Sequence, residues 1–124
     1  MALIHFVDAS LLPISKLPFS ITSIPGCAFK QCMPLREINI PSSVTQIGVA
    51  AFFNWTSLKQ IKIPDSMKSI GDNAFNDYLA LKNLMISSSI TKINTWTFGK
   101  YSSLTKIIIP SFVTEIEYNA FNRC

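Results

Sequence analysis

Apolar residues recur along this chain with a period of 23. Leu12, Leu35, Leu58, Leu81 and Leu104 open successive units at position 1, and Leu17, Ile40, Ile63, Ile86 and Ile109 follow at position 6. Ile21, Val44, Met67, Ile90 and Val113 occupy position 10, and Ile24, Ile47, Ile70, Ile93 and Ile116 occupy position 13. Phe29, Phe52, Phe75, Phe98 and Phe121 form position 18 without exception.

The opening of a unit, Leu58-Lys-Gln-Ile-Lys-Ile63, sets Ile61 and Ile63 two apart with polar residues between and beside them, the alternation of a strand with one buried face. Position 7 holds Pro18, Pro41, Pro64 and Pro110, with Ser87 in one unit. Proline offers no N–H to a sheet ladder, so it closes the strand and turns the chain. Positions 10 and 13 then point inward from a second extended segment, and Gly48 and Gly71 at position 14 loosen the backbone ahead of a turn. Position 17 is small (Ala28, Ala51, Ala74, Thr97, Ala120), and position 21 carries Cys32, Trp55, Tyr78, Tyr101 and Cys124. A residue three after each phenylalanine predicts a short helical turn with both on one face.

One such coil cannot bury its own apolar side chains, because each touches mainly the coils above and below it. Stacking therefore makes the core. Adjacent strands lie about 4.8 Å apart, so five coils make a parallel sheet roughly 20 Å across. Each buried phenylalanine contributes about 1.5 to 3 kcal/mol, which makes that column a spine.

The pattern Leu-x-x-Ile-x-Ile-Pro-x-x-Val-x-x-Ile-Gly-x-x-Ala-Phe-x-x-aromatic/Cys, running from residue 12 to 124, resembles the BspA-like (Treponema-type) leucine-rich repeat family. The resemblance implies an α/β leucine-rich-repeat solenoid with a parallel β-sheet on the concave side, and short strands and helical turns on the convex side. It also implies a family of bacterial and protozoan proteins used in adhesion and protein recognition. One domain over 1–124 is expected, with a degenerate segment 1–34 and clear repeats at 35–57, 58–80, 81–103 and 104–124. Ser15 at position 4 and Pro25 at position 14 depart from the pattern, Pro13 and Pro34 add rigid points, and Phe6 aligns with the tail of a half repeat. The last residue, Cys124, stands at position 21 with no polar capping segment, so self-association through open repeat ends is an expectation.

Composition narrows the classes further. With 48% hydrophobic and 15% charged residues the chain is no disordered tail. Its longest apolar runs, such as Ile107 to Ile109, fall far short of the roughly 18 to 20 residues of a membrane span. The opening Met-Ala-Leu-Ile-His-Phe-Val-Asp lacks the positive n-region of a secretory signal, which tilts the expectation toward the cytoplasm, with the cell surface as the alternative. Three cysteines, Cys27, Cys32 and Cys124, do not make a disulfide framework, and reduced buried thiols are expected.

The residues of catalysis are missing as a set. His5 is the single histidine, and no phosphate loop, HExxH, paired CxxC or EF-hand spacing occurs. No enzymatic activity and no cofactor are expected. Cys27 and Cys32 have the spacing of half a metal site, but nothing completes four ligands. Asn54-Trp55-Thr56 fits a glycosylation sequon that arises easily by chance, and Trp96, at position 16, is expected to be partly exposed on the convex side.

Binding chemistry belongs to positions 2, 3 and 5, which flank the inward residues of the first strand. They read Pro13, Ile14, Lys16; Arg36, Glu37, Asn39; Lys59, Gln60, Lys62; Lys82, Asn83, Met85; and Thr105, Lys106, Ile108. Six of the eleven lysines and arginines lie here, against one of the seven acids, a concentration beyond what the net charge of +4 produces by itself. The expected partner-binding set is Arg36, Lys59, Lys62, Lys82, Met85, Lys106 and Ile108, facing an acidic protein or other polyanion in adhesion or regulation. Specific nucleic-acid binding is not expected, since no aromatics are interleaved for base stacking. The alternative is a structural, self-assembling stack or a piece of a larger cell-surface adhesin.

Overall fold

The computed structural model describes residues 17–31 and 36–124, and shows a solenoid of short parallel strands. The strands are β1 (Ser23–Ile24), β2 (Glu37–Asn39), β3 (Gln46–Ile47), β4 (Gln60–Lys62), β5 (Ser69–Ile70), β6 (Asn83–Met85), β7 (Lys92–Ile93), β8 (Lys106–Ile108) and β9 (Glu115–Ile116). Each coil from residue 35 onward contributes one strand to an even-numbered column at positions 3 to 5 and one to an odd-numbered column at positions 12 and 13, which begins with β1 of the coil before. Pairing is parallel throughout and follows the repeat, with Ile38 opposite Ile61, Leu84 opposite Ile107, Ile47 opposite Ile24 and Ile70, and Ile93 opposite Ile116.

Between the two strands of a coil the position 7 residue starts a tight turn. Pro41, Pro64 and Pro110 each accept from the N–H three residues on at 3.1 Å, and Ser87 accepts from Ile90 at 3.2 Å, so serine keeps the turn. The core lies inside the coil. Its columns are Ile38 and Leu84 at position 4, Ile40, Ile63 and Ile86 at 6, Val44, Met67 and Ile90 at 10, and Ile24, Ile47, Ile70 and Ile93 at 13.

The phenylalanine column is a continuous stack. Phe29 and Phe52 lie 5.3 Å apart, Phe52 and Phe75 5.4 Å, Phe75 and Phe98 5.9 Å, and Phe98 and Phe121 5.7 Å. Trp55, Tyr78 and Tyr101 meet these rings edge-on, the favoured geometry for aromatic quadrupoles. The buried Trp55 indole N–H donates to the Phe29 carbonyl of the preceding coil.

The expected helical turns on this side are corrected. No helix occurs among the described residues; instead positions 16 and 20 take positive φ in every coil, at Cys27, Ala50, Asn73, Trp96 and Asn119 and at Gln31, Asn54, Asp77, Lys100 and Arg123. The reason is where the N–H groups go. Ala50, Phe52 and Asn54 each donate at 2.9 Å to Asp72, Ala74 and Asn76 of the next coil, while Ala51 and Phe53 between them donate at 3.3 Å to Gly48 and Ala50, so alternate N–H groups run along the stack and the rest close single tight turns. Phenylalanine still meets the aromatic three residues later, by way of consecutive turns.

Two further expectations meet the structure here. Cys27 and Cys124 are exposed free thiols and not buried ones, because position 16 projects outward and Cys124 lies on the last coil; Cys32, His5 and Phe6 lie outside the described residues. Trp96 is partly exposed, and its ring lies across Gly99, where an added Cβ would sit 2.6 Å from it.

Candidate interaction face

The even-strand column presents an alternation that follows from the pleat. Position 4 points inward, while Glu37 and Asn39, Gln60 and Lys62, Asn83 and Met85, and Lys106 and Ile108 are exposed on either side of it. Arg36, Lys59 and Lys82 are also exposed, one residue ahead of each strand. Exposure is thus common to Arg36, Lys59, Lys62, Lys82, Met85, Lys106 and Ile108, with Met85 at 70% and Ile108 at 50%.

The structure gathers only some of these around one cavity. A cleft of about 760 Å³ is lined by Lys59 and Lys62 from one coil and Lys82 and Met85 from the next, with Asp65 at its edge; Arg36, Lys106 and Ile108 lie outside it. Among the described residues the only ion pairs join Lys92 to Glu117 at 2.6 Å and to Glu115 at 3.7 Å. The three cleft ammonium groups therefore have no carboxylate in contact.

The cleft coincides with a break in the sheet. The even column divides into β2–β4 and β6–β8, and the odd column into β1–β3–β5 and β7–β9, both between residues 58–80 and 81–103. Three backbone bonds repeat at intact junctions: Lys59 N–H to Arg36 C=O at 2.8 Å, Lys68 N–H to Thr45 C=O at 2.8 Å, and Gly71 N–H to Ile47 C=O at 2.8 Å. After the break they resume at Thr105, Thr114 and Glu117, whereas Lys82, Thr91 and Asn94 donate none of them. On the turn side the stack holds, with Asn73, Phe75 and Asp77 donating across the same junction at 3.1, 3.1 and 3.0 Å. Sequence reasoning saw the serine that replaces proline at position 87 but not this break.

Side chains bridge the broken corner. Ser87 and Ser88 donate to the Asp65 carboxylate at 3.5 and 3.2 Å, and the Ser89 hydroxyl lies 2.7 Å from the Met67 carbonyl. Among the described residues no group of three or more His, Cys, Asp or Glu side chains is placed to hold a metal.

Parallel strands on a 23-residue pitch, proline-led corners, a phenylalanine spine and an exposed strand face define a leucine-rich-repeat scaffold. The chain belongs to the BspA-type leucine-rich repeat family, whose pattern matches residues 6–124 in six copies. It is similar to a leucine-rich cell surface protein from Faecalibacterium prausnitzii A2-165, at 32% identity and a TM-score of 0.83 over 87% of this chain and 28% of that one. A leucine-rich repeat protein from Bacteroides ovatus is 29% identical with a TM-score of 0.71, covering 83% of this chain and 30% of its own. The leucine-rich repeat protein of T. pallidum is 27% identical with a TM-score of 0.76, covering 82% and 48%. The chain thus spans less than half the length of each. No curated protein matches it. One of these structures is described as a cell surface protein, and the cytoplasmic expectation finds no support among them. Among the described residues no helix is long and apolar enough to cross a membrane.

Proposed function

We propose that the even-strand face binds an acidic protein partner, in adhesion or regulation, with the protein displayed at the cell surface. The observation that carries this reading is the convergence of Lys59, Lys62 and Lys82 on one cleft with no carboxylate in contact. Like charges on neighbouring strands repel, and an acidic segment relieves that repulsion. Exposed Met85 and Ile108 supply apolar contact beside the charge. The described positions of this face hold no aromatic ring for base stacking, which disfavours single-stranded nucleic acid. Placement at the cell surface rests on the likeness to the F. prausnitzii protein.

The test is fluorescence anisotropy with a labelled poly-glutamate peptide. Replacing Lys59, Lys62 and Lys82 together by glutamate abolishes binding. Replacing Lys30, Lys68 and Lys100 leaves it in place, since Lys30 lies over the Phe53 ring on the turn side and the other two are also off the even-strand face. Added salt weakens the wild-type interaction by screening. Equal losses in both triple variants would reduce the effect to net charge and sink the reading.

A further inference from the structure

The break in the ladder has an identifiable local cause. At the intact junctions the N–H of position 14 donates to the position 13 carbonyl of the coil before: Gly48 to Ile24 and Gly71 to Ile47 at 2.8 Å, and Glu117 to Ile93 at 2.9 Å. At the broken junction the Ile70 carbonyl accepts from the Asn94 side-chain amide at 2.6 Å and not from the Asn94 backbone N–H, the carboxamide standing between the coils where the direct bond would close. Side-chain amides compete in this way with ladder bonds. Bulk alone does not open a junction, since Glu117 carries a side chain at the same position and keeps its backbone bond.

The consequences run outward from Asn94. With the amide between the coils, the N–H groups of Lys82, Thr91 and Asn94 lose the partners that their counterparts keep. The turn-side bonds persist, and the Phe75–Phe98 spacing of 5.9 Å is the widest among the described phenylalanine pairs. The two parts of the stack are thus joined on one side and parted on the other, with Ser87, Ser88 and Ser89 reaching back across the corner.

We infer that Asn94 is a positioning residue that holds the cleft between β4 and β6 open, and that a glutamate or aspartate side chain of an acidic peptide seats in that cleft. This rests on the reading of the even-strand face given above. The cleft sets three ammonium groups against one carboxylate, Asp65, and the unpaired Lys82 N–H adds a neutral donor between the coils. Charge-assisted bonds from such donors to a carboxylate are the stronger class of hydrogen bond. A peptide is favoured over a sulfated glycan because Ile61, Ile63, Ala80 and Met85 line the same space and suit the aliphatic stem of an acidic side chain, with Gln60 and Asn83 beside them able to pair with a peptide backbone. Asn94 itself is on the odd-strand side, away from the bound group, so its effect on binding passes through the width of the junction.

The experiment compares wild type with Asn94→Gly, which installs the residue found at positions 48 and 71, and with Asn94→Ala, which removes the donor but keeps a Cβ. Two quantities are read on each: backbone amide exchange at Lys82 and Thr91 by NMR, and anisotropy with the labelled poly-glutamate peptide, with dextran sulfate as a parallel probe. In both variants exchange at Lys82 and Thr91 slows as the ladder closes, and affinity for poly-glutamate falls about tenfold with every lysine still present. Slower exchange with unchanged affinity overturns the cleft as the seat and leaves the basic-face reading standing. Exchange that slows in Asn94→Gly alone traces the break to the Cβ, which at Gly71 would already stand 2.6 Å from the Val49 nitrogen, and overturns the role of the amide, as does unchanged exchange in both variants. Wild-type binding to dextran sulfate with none to poly-glutamate overturns the peptide as occupant. Failure of the basic-face reading itself is registered separately, by the lysine reversals.

Discussion

Removing one ring from the middle of the phenylalanine spine tests the stacked-coil account where its numbers are largest. Phe75 is fully buried, lies parallel to Phe52 at 5.4 Å and Phe98 at 5.9 Å, and meets Tyr78 edge-on at 6.1 Å. Burial of the side chain contributes about 1.5 to 3 kcal/mol, and its removal leaves a cavity bounded by rings on three sides. Phe75→Ala therefore costs about 3 to 5 kcal/mol. Phe121 is half-buried and stacks on Phe98 alone, at 5.7 Å and 14°. Phe121→Ala costs about 1 to 2 kcal/mol, from partial burial and one ring contact. Urea unfolding followed by tryptophan fluorescence reads both, since Trp55 packs on Phe52 within the same stack. Equal losses at the two positions would refute the idea that stability accrues from neighbours on both sides.

Two smaller perturbations address the spacing of coils and their acid response. A Cβ at Gly48 would stand 2.4 Å from the Gly26 nitrogen, against 3.2 Å to the nearest atom for one at Gly26. Gly48→Ala therefore loses about 1 to 3 kcal/mol by overpacking, with Gly26→Ala losing less in the same urea assay. Glu117 is held below the ordinary glutamate value of 4.5, chiefly by the hydrogen bond from Lys92 and then by that from the Thr95 hydroxyl. A carboxylate depressed in the folded state stabilises above its unfolded pKa, and that contribution disappears as pH falls through the folded value. Melting temperatures should drop below pH 4.5 in wild type, and Glu117→Gln should flatten that part of the profile.

The repeat was legible because 23-residue columns of identical residues survive any error in the local assignment of structure. The turn side was misread because an i, i+3 pair such as Phe75 and Tyr78 fits a helix and a pair of successive turns equally well. A usable signal was present: Asn73 and Asn119 at position 16, and Asn54 and Asp77 at position 20, are residue types that tolerate positive φ. The exposed strand positions were readable from alternation, and that they bind a partner is our proposal. The break was not legible. Asn94 in a column containing Gly48 and Gly71 is an unremarkable polar substitution until its amide is seen on the Ile70 carbonyl. Which of the basic residues share a cleft follows from that one bond, so Lys59, Lys62 and Lys82 could be told from Arg36 and Lys106 only in three dimensions.

The most direct test of the basic face as a binding surface is residue-resolved mapping of an acidic peptide on the folded chain. Titrating poly-glutamate into the ¹⁵N-labelled protein should shift the amides of residues 59–62 and 82–85 first and most, with Phe53 and Trp96 on the turn side unmoved. Shifts centred on residues 49–54 and 96–100, or spread evenly over every lysine, would contradict it.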